Sequence, residues 1–263
     1  MKFKVGFLNL ISLFAYMELI IKDAAIFKKS MEAISVLIDE AELIVNLQGL
    51  ELKATDPSQI SMVDFSMPKK SFEKFDVEEM RLGLDLDYLN QVLARAQTGD
   101  QLTLSLDEKK AFLLVSFSGK AERSFQVPLI DISSSDVPQP KIEFDAELKI
   151  SAGFLQNAFK DAALISTHIT LGCDEEKFFI RAKSSKGNLD EKLKPSKDTL
   201  PELKVKQECQ SMFPLDYLQD MLKAASSGDN INLFVKTNAP VKVSYTIGEA
   251  SVTYFLAPRI ESS

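Results

Sequence analysis

The side chains that could carry out chemistry are few and widely separated in this sequence. His168 is the only histidine, and Cys173 and Cys209 are the only cysteines. Catalysis by a serine or cysteine nucleophile needs a base such as histidine beside it and a carboxylate that orients the base. His168 stands directly before a predicted strand, Ile169 to Ala182, where a surface or turn position is the expectation. The sequence therefore offers no nucleophile paired with a base.

Metal, redox and phosphate-binding motifs are also missing from the sequence. Cys173 and Cys209 have no second Cys or His at ligand spacing, so we expect neither a CxxC redox pair nor a tetrahedral zinc site. Unpaired cysteines fit a reducing compartment. No GxGxxG or GxxxxGK[ST] loop occurs. The acidic run Asp174 to Glu176 is typical of a solvated turn rather than a two-metal site. We predict a protein that is not an enzyme and has no cofactor or metal.

Composition indicates a folded protein of about two domains. The chain has 263 residues, of which 45% are hydrophobic and 26% charged, with ten glycines and ten prolines. Its net charge of −7 argues against nucleic-acid binding if the charge is spread evenly. Basic residues gathered on one face would remove that objection, so their arrangement has to be located first.

The first sixteen residues differ from the rest. Lys2 and Lys4 precede an apolar run from Val5 to Tyr16, which is similar to a signal peptide but too short to span a bilayer. No A-x-A cleavage site follows, and a predicted strand starts at Met17. We expect Met17 to be the natural start and residues 1–16 to be an extension outside the fold, whose deletion leaves assembly intact.

The remaining chain contains an internal repeat. Leu86 to Leu89, then nine intervening residues and Gly99-Asp100, recurs as Leu215 to Leu218, again nine intervening residues and Gly228-Asp229. Apolar residues between these points have the i, i+3, i+4 spacing of a buried helix face, and each Gly-Asp is predicted to end its helix. Each half reads strand, helix, strands, helix, strands.

The repeat predicts an α+β protein of two similar domains. The boundaries are 17–131 for the first domain, 132–141 for a connector rich in serine and proline, and 142–263 for the second domain. Helices should layer on one side of antiparallel sheets. Sheet edges at either end of such a tandem could pair head to tail with another copy, and rings result when the rotation closes.

Four segments in order give the chain a resemblance to a known family. They are Leu50 to Phe65, Phe72 to Asp76, Leu129 to Ile132 leading into Val137-Pro138, and Tyr254 to Glu261. With the duplication, the chain from Met17 to Glu261 resembles the DNA sliding clamps of the proliferating cell nuclear antigen family, in particular the archaeal branch. The resemblance implies a ring of three subunits around duplex DNA, with helices lining the hole and sheets outside, and no chemistry of its own.

The resemblance also implies partners. They are duplex DNA without sequence preference, further copies of the chain as a homotrimer or heterotrimer, the ATP-driven loader replication factor C, and DNA polymerase, flap endonuclease and DNA ligase through a client peptide motif. A clamp of this branch would work in the cytoplasm at the nucleoid, without a membrane.

Matching the family residue by residue gives three sets of expected site residues. The DNA-facing set is Lys28, Lys29, Arg95, Lys149, Lys160 and Lys223. The client-peptide pocket is Gln59, Ile60, Met62, Val137, Pro138, Pro240, Phe255, Ala257 and Pro258. The subunit interface pairs Lys120 and Arg123 of one copy with Asp190 and Glu191 of the next.

Three other functions stay open at this point. The chain could be a DNA-binding protein that forms no ring, a structural repeat protein without a DNA role, or a nuclease that uses its carboxylates. Retention on circular rather than linear DNA separates the first two from a clamp, and metal-dependent cleavage would indicate the third.

Overall fold

The computed structural model describes residues 16–109, 111–132 and 137–260. The predicted N-terminal extension falls outside the described residues except for Tyr16, as do residues 133–136 of the predicted connector and residues 261–263.

The chain forms two successive sets of elements in the same order. The first set is β1 Met17–Ile21, α1 Ala24–Ser35, β2 Glu40–Asn46, β3 Gly49–Thr55, β4 Ser61–Pro68, a short 3-10 helix Lys69–Ser71, β5 Lys74–Val77, β6 Met80–Asp85, α2 Leu86–Leu93, β7 Gln101–Leu106, β8 Phe112–Ser118 and β9 Arg123–Pro128. The second set is β10 Ala146–Ser151, α3 Ala152–Ala163, β11 His168–Cys173, β12 Phe178–Ser184, β13 Gly187–Leu193, β14 Glu202–Val205, β15 Cys209–Pro214, α4 Leu215–Met221, β16 Asn230–Val235, β17 Val241–Ile247 and β18 Ala250–Leu256. The predicted α+β fold with a duplicated order is confirmed.

Three antiparallel sheets connect the strands, and one of them joins the two halves. The orders are β5-β1-β7-β8-β9, then β14-β10-β16-β17-β18-β4-β3-β2-β6, and β13-β12-β11-β15. The nine-stranded sheet is five strands of the second half continued by four strands of the first, through the pairing of β18 with β4. The other two sheets contain the equivalent five and four strands, but here they are separate.

The core is built from the strand faces that the helices cover. Alternate residues of most strands are buried, as in Leu43 and Val45 of β2 or Leu113 and Val115 of β8. Alternation of period two on a strand and the i, i+3, i+4 spacing on a helix direct apolar side chains to one side of each element. Helix α1 packs against α2, and α3 packs against α4, so the helices form one layer beneath the sheets.

Two buried tyrosines fasten this helical layer to the sheet that joins the halves. The hydroxyl of Tyr254, on β18, donates to the carbonyl of Ala33 in α1 at 2.7 Å. The hydroxyl of Tyr245, on β17, donates to the carbonyl of Met221 in α4 at 2.9 Å, and the two hydroxyl oxygens are 3.2 Å apart. Burial raises the pKa of Tyr245 to about 12, so the pair stays protonated. One helix from each half is therefore held by a neighbouring strand pair.

The predicted helix ends at the two Gly-Asp pairs are wrong. Helix α2 ends at Leu93 and α4 at Met221, several residues before each pair. Each aspartate instead closes a separate turn, because the Asp100 carboxylate accepts the Gln97 N–H at 2.7 Å and the Asp229 carboxylate accepts the Ser226 N–H at 2.7 Å. The repeated motif marks this side-chain-capped turn rather than a helix terminus.

The edge strands of the sheets differ in length and in whether another segment covers them. Edge strands β5 and β14 have only four residues each. Edge strand β6 is covered by the segment that leads into the connector, where the Ile130 N–H donates to the Gly83 carbonyl at 3.0 Å. Edge strand β15 is covered in the same way by the tail, where the Arg259 N–H donates to the Met212 carbonyl at 2.8 Å. Of the edges in the described residues, only β9 and β13, with six and seven residues, are both long and uncovered.

Candidate functional site

Basic side chains project from the helical layer, as the DNA-facing prediction requires, but they are sparse. Lys28 and Lys29 lie on α1; Lys29 is exposed and its Nζ is 3.5 Å from the Ser226 hydroxyl of the other half. Lys28 is half-buried and is 3.9 Å from the Glu32 carboxylate one turn along. The contact from Lys29 places α1 beside the turn that follows α4, so both halves contribute to one surface.

The sequence pattern indicated that Arg95 and Lys223 lie inside the second and fourth helices, but the structure places them outside. Each occupies the turn directly after its helix, because α2 ends at Leu93 and α4 at Met221. Both side chains are exposed, and Lys223 forms an ion pair with Asp220 at 2.6 Å. Cations at helix C-termini are favoured by the helix dipole.

The remaining two basic residues, Lys160 and Lys149, lie on different surfaces of the chain. Lys160 is exposed on α3 and lines a groove between α3 and α4 together with Lys223. Lys149 instead lies on β10, in register with Glu202, at a position that alternates with the buried Leu148 and Ile150. It therefore projects from the sheet face opposite the core and does not join the surface formed by the helical layer.

Most residues of the predicted client pocket converge on the outer face of the nine-stranded sheet, where β18 meets β4. Met62 and Phe255 are directly opposite each other across that pair of strands, and each is only 5% exposed. Neither side chain belongs to the main core cluster, so packing in the core does not explain why these two residues are apolar. The Ala257 N–H donates to the Ile60 carbonyl at 2.7 Å, which fixes the tail beside this pair.

The other pocket residues border the same point from two sides. Gln59 and Pro258 adjoin Ile60 and Ala257 along the chain, and Pro240 precedes Val241, which pairs with Leu256. On the other side, Val137 and Thr55 line a cleft of about 620 Å³, and Thr55 pairs with Met62. Pro138 follows Val137 and is exposed. The structure thus fixes Ile60, Met62, Phe255 and Ala257 at one point of the sheet. Of the other five predicted residues, Val137 lines the neighbouring cleft, and Gln59, Pro138, Pro240 and Pro258 adjoin residues of this region along the chain.

A buried carboxylate that the sequence did not indicate shapes one wall of this pocket. Asp56 is 3% exposed and accepts the N–H groups of Ser58, Ile60 and Ser61 at 3.0, 2.9 and 2.6 Å. Its other contact is the hydroxyl of Tyr217, on α4 of the second half, at 3.1 Å. Burial raises the pKa of Asp56, but the hydrogen bonds from Ser61, Tyr217 and Ser58 outweigh it and hold that pKa below its ordinary value. The hydrogen bond between Asp56 and Tyr217 links the two halves, which sequence reasoning did not predict.

The predicted interface residues lie on or beside the two open edge strands, with different surroundings. Arg123, on β9, is bound within its own half: Nη1 donates to the Arg95 carbonyl at 2.6 Å, and Nη2 pairs with Asp100, which is 2% exposed. Lys120 is exposed in the turn before β9. Sequence spacing alone could not reveal the partner of Arg123.

On β13, Asp190 and Glu191 point to opposite faces. Asp190 is exposed and pairs with Lys192 at 2.7 Å and Arg181 at 3.3 Å. Glu191 points toward the core, and its buried Oε2 has no hydrogen-bond partner among the described residues. Burial and the nearby charge of Asp161 raise the pKa of Glu191.

The groups considered for catalysis are placed apart from any catalytic arrangement. His168 is the first residue of β11, and its ring nitrogens are 3.4 Å from Nη1 of Arg259. Burial and the Arg259 charge lower the pKa of His168. Within residues 16–109, 111–132 and 137–260, no three His, Cys, Asp or Glu side chains are arranged to hold a metal ion. In that same part of the chain, no helix is long and apolar enough to cross a membrane.

Comparison with known proteins identifies both halves. Residues 16–137 match the family model described as "Proliferating cell nuclear antigen, N-terminal domain", and residues 138–260 match "Proliferating cell nuclear antigen, C-terminal domain". The chain is 36% identical to the DNA polymerase sliding clamp of Methanococcus vannielii over 90% of this chain and 96% of that protein. It is 32% identical to that of Thermofilum pendens over 93% and 99%.

Solved structures agree with these relatives. The crystal structure of the Thermococcus kodakaraensis protein of this family matches with a TM-score of 0.89 at 27% identity, covering 92% of this chain and all of that one. A structure described as the C-terminal region of FEN-1 bound to A. fulgidus PCNA matches with a TM-score of 0.84 at 33% identity, covering 94% and 100%. The chain therefore belongs to the proliferating cell nuclear antigen family.

Proposed function

We propose that this protein is a DNA sliding clamp, a ring of three copies that encircles duplex DNA and tethers DNA polymerase and other replication and repair enzymes. The observation that carries the proposal is the way the two halves join. Strands β18 and β4 pair edge to edge to make one nine-stranded sheet, while the equivalent strands β9 and β13 are the long edges left uncovered in the part of the chain that the structure describes. Family membership and the archaeal sliding clamps among the relatives support the same function.

An uncovered long edge strand favours pairing with another chain. Because β9 and β13 belong to the five-stranded and four-stranded sheets, their pairing across two copies would build a nine-stranded sheet like the one inside each chain. This contact is head to tail, so successive copies close into a ring when the rotation permits. Three copies are what the family resemblance implies, and one chain type is sufficient for the contact.

The internal junction also supplies a register for the seam. Within the chain, Val252 of β18 faces Phe65 of β4, and the residues at the equivalent inward positions of β9 and β13 are Arg123 and Glu191. A copy of the same register would bring the unpartnered Glu191 carboxylate to the Arg123 guanidinium, which has five N–H groups for its several acceptors.

The next inward positions of the seam are apolar. Within the chain, Tyr254 faces Val63 at the next inward position. The equivalent pair across the seam would be Phe125 and Leu189, whose side chains are both half-buried in the single chain. Lys120 and Asp190 fall outside the inward row, where exposed ion pairs contribute only about 0–1 kcal/mol. The buried pair and the apolar contact would therefore stabilise the seam more than the exposed charges.

The helical layer would face the DNA. Lys29, Arg95 and Lys160 are exposed on it, whereas the charges of Lys28 and Lys223 are partly offset by neighbouring carboxylates. Phosphate contacts give affinity without reading sequence. A sparse lining suits a protein that must move along DNA and is retained by ring closure rather than by ion pairs.

Client enzymes would dock at the outer face around Met62 and Phe255. An apolar floor with backbone groups at its rim accepts the aliphatic and aromatic side chains of a client peptide and its polar ends. We include flap endonuclease, DNA polymerase and DNA ligase among the clients, and replication factor C as the ATP-dependent loader. The structure described as a FEN-1 C-terminal region bound to A. fulgidus PCNA supports this choice of client.

Retention on DNA tests the ring. The protein is loaded with an archaeal replication factor C and ATP on nicked circular DNA and then filtered away from free protein. We expect retention on the circle and loss after the circle is cut. Equal retention on linear DNA would indicate ordinary DNA binding, and cleavage that requires Mg²⁺ would indicate a nuclease.

A peptide-binding measurement tests the docking site separately. Replacing Met62 and Val137 together with alanine should weaken binding of a FEN-1 C-terminal peptide by tenfold or more, measured by calorimetry. Pro258→Asp should have a similar effect. Leu164→Ala, at a 72% exposed apolar residue after α3, is the matched control and should bind as the original chain does. Full binding by an assembled double variant would place the client elsewhere.

A further inference from the structure

The fold brings together the two cysteines that are far apart in the sequence. Cys173 is the last residue of β11 and Cys209 the first residue of β15, and they are directly opposite each other in the antiparallel pair. Both are buried, with exposed fractions of 0% and 1%. The sequence analysis excluded only a CxxC redox pair, and the spacing of the two cysteines along the chain does not reveal this register.

The two thiols face each other, and one of them has a backbone acceptor. The register places Cys173 directly opposite Cys209, and the Cys209 sulfur donates to the Val235 carbonyl at 3.7 Å. Donation to its neighbour raises the pKa of Cys173, and acceptance of that hydrogen bond lowers the pKa of Cys209. The asymmetry makes Cys209 the better nucleophile, because the thiolate is the reactive form.

We propose that Cys173 and Cys209 form an oxidisable dithiol, a modification site that a peroxide converts to a disulfide within the chain. The Cys209 thiolate attacks one oxygen of hydrogen peroxide, the O–O bond breaks, and the released hydroxide takes up a proton to give water and a sulfenic acid. The Cys173 sulfur then displaces the sulfenic hydroxyl, which leaves as a second water with the Cys173 proton. Two thiols are oxidised by two electrons and one peroxide is reduced to two waters.

The position of the pair permits this closure. Directly opposite residues of an antiparallel pair have Cβ atoms about 4.5–5.5 Å apart, and a disulfide needs about 3.5–4.5 Å, so a small approach of two strand ends suffices. Cys173 is followed at once by the turn from Asp174 to Lys177, and β15 is the edge strand of its sheet. Strand ends and edges open locally more readily than central strands, which admits a small oxidant.

The equivalent pair in the first half shows that the site is particular to the second. There Val45 and Met80 occupy the same register between β2 and β6. Ordinary hydrophobic residues therefore satisfy the apolar packing at these positions in the first half, whereas the second half has two cysteines directly opposite each other.

The disulfide would enclose β12, β13 and β14 between its two ends. A cross-link that closes a loop of this length restricts the unfolded chain. We expect the midpoint of thermal unfolding to rise by roughly 5–10 °C on oxidation and to return with dithiothreitol.

The experiment exposes the full-length chain to hydrogen peroxide under native conditions and measures intact mass and peptide masses. We expect a loss of about 2 Da, a peptide joining Cys173 to Cys209, and the rise in midpoint. In Cys173→Ser the sulfenic acid should persist on Cys209 and be trapped by dimedone, whereas Cys209→Ser should give much less adduct. Each variant is first checked for cooperative unfolding, and Cys173→Ala and Cys209→Ala replace any that fails.

Three results would overturn the proposal. They are oxidation of the urea-unfolded chain but not of the native chain, sulfinic acid without the cross-linked peptide, and disulfides only between chains. Equal dimedone labelling of the two single variants would overturn the assignment of Cys209 as the attacking group.

Discussion

Replacing Arg123 should destabilise the single chain before it affects any contact between copies. In Arg123→Gln the Asp100 carboxylate, 2% exposed, loses its charged partner and retains the Gln97 N–H at 2.7 Å. Removing one partner of a buried pair costs about 3–5 kcal/mol, and the surviving hydrogen bond places the cost near the lower value. Loss of the cation over the Phe117 ring, at 5.3 Å, adds about 0.5–1 kcal/mol.

The assay is urea unfolding followed by circular dichroism at several protein concentrations. A total of about 3–4 kcal/mol corresponds to a midpoint lower by about 1–2 M if the slope is about 2–3 kcal/mol per M. The loss that arises within the protomer should be present at every concentration, including dilutions at which copies do not associate, and loss of the proposed contact with Glu191 would add to it only where the ring assembles. Lys120→Gln, at an exposed neighbouring position, is the control and should change the free energy of unfolding by less than about 0.5 kcal/mol. A midpoint unchanged in dilute Arg123→Gln, or lowered only at concentrations where the ring assembles, would refute this reasoning.

Three further changes test other parts of the structure. Tyr254→Phe should lower the free energy of unfolding by about 1–3 kcal/mol, measured in urea, because the buried Ala33 carbonyl loses its donor; an unchanged midpoint would contradict this. Asp56→Asn should lower the free energy of unfolding by a constant amount at neutral pH. Because the pKa of Asp56 is lower in the folded chain than its ordinary value of 3.8, the stability that the carboxylate contributes is lost as pH falls below 3.8, and the difference from the original chain should shrink. A difference in the free energy of unfolding that is unchanged at pH 3 would count against this. Leu189→Asp should shift sedimentation toward single chains at micromolar protein, and an intact ring would exclude the proposed seam.

Local pattern and repetition predicted most of the fold. The strands Gln101–Leu106 and Asn230–Val235 follow the second helix of each half, as the repeat predicts, because alternation and flanking turn residues determine them. The ends of α2 and α4 could not be placed, because the closing hydrogen bonds of the Gly-Asp turns come from a side chain that acts three residues back.

Contacts between distant segments account for what the sequence could not predict at the candidate site. Asp56 accepts a hydrogen bond from Tyr217, which is 161 residues away in the chain. Arg123 contacts Asp100 because β8 runs antiparallel to β7 and brings the turn before β9 next to Asp100. Cys173 and Cys209 face each other only because β11 and β15 are neighbours in the sheet although β12, β13 and β14 intervene in the chain. Strand pairing order is a global property, and neither periodicity nor composition specifies it.

The join between β18 and β4 and the proposed join between β9 and β13 would be alike in geometry but different in kinetics. Both sides of the internal join belong to one polypeptide, so a strand that separates stays at a high effective concentration next to its partner and returns at once. The sides of the seam belong to separate molecules, and a strand that separates there diffuses at the concentration of free protein. A ring of these chains would therefore open at the joins between subunits and not at the β18–β4 join within a subunit. Each subunit would move as one rigid segment when the ring opens.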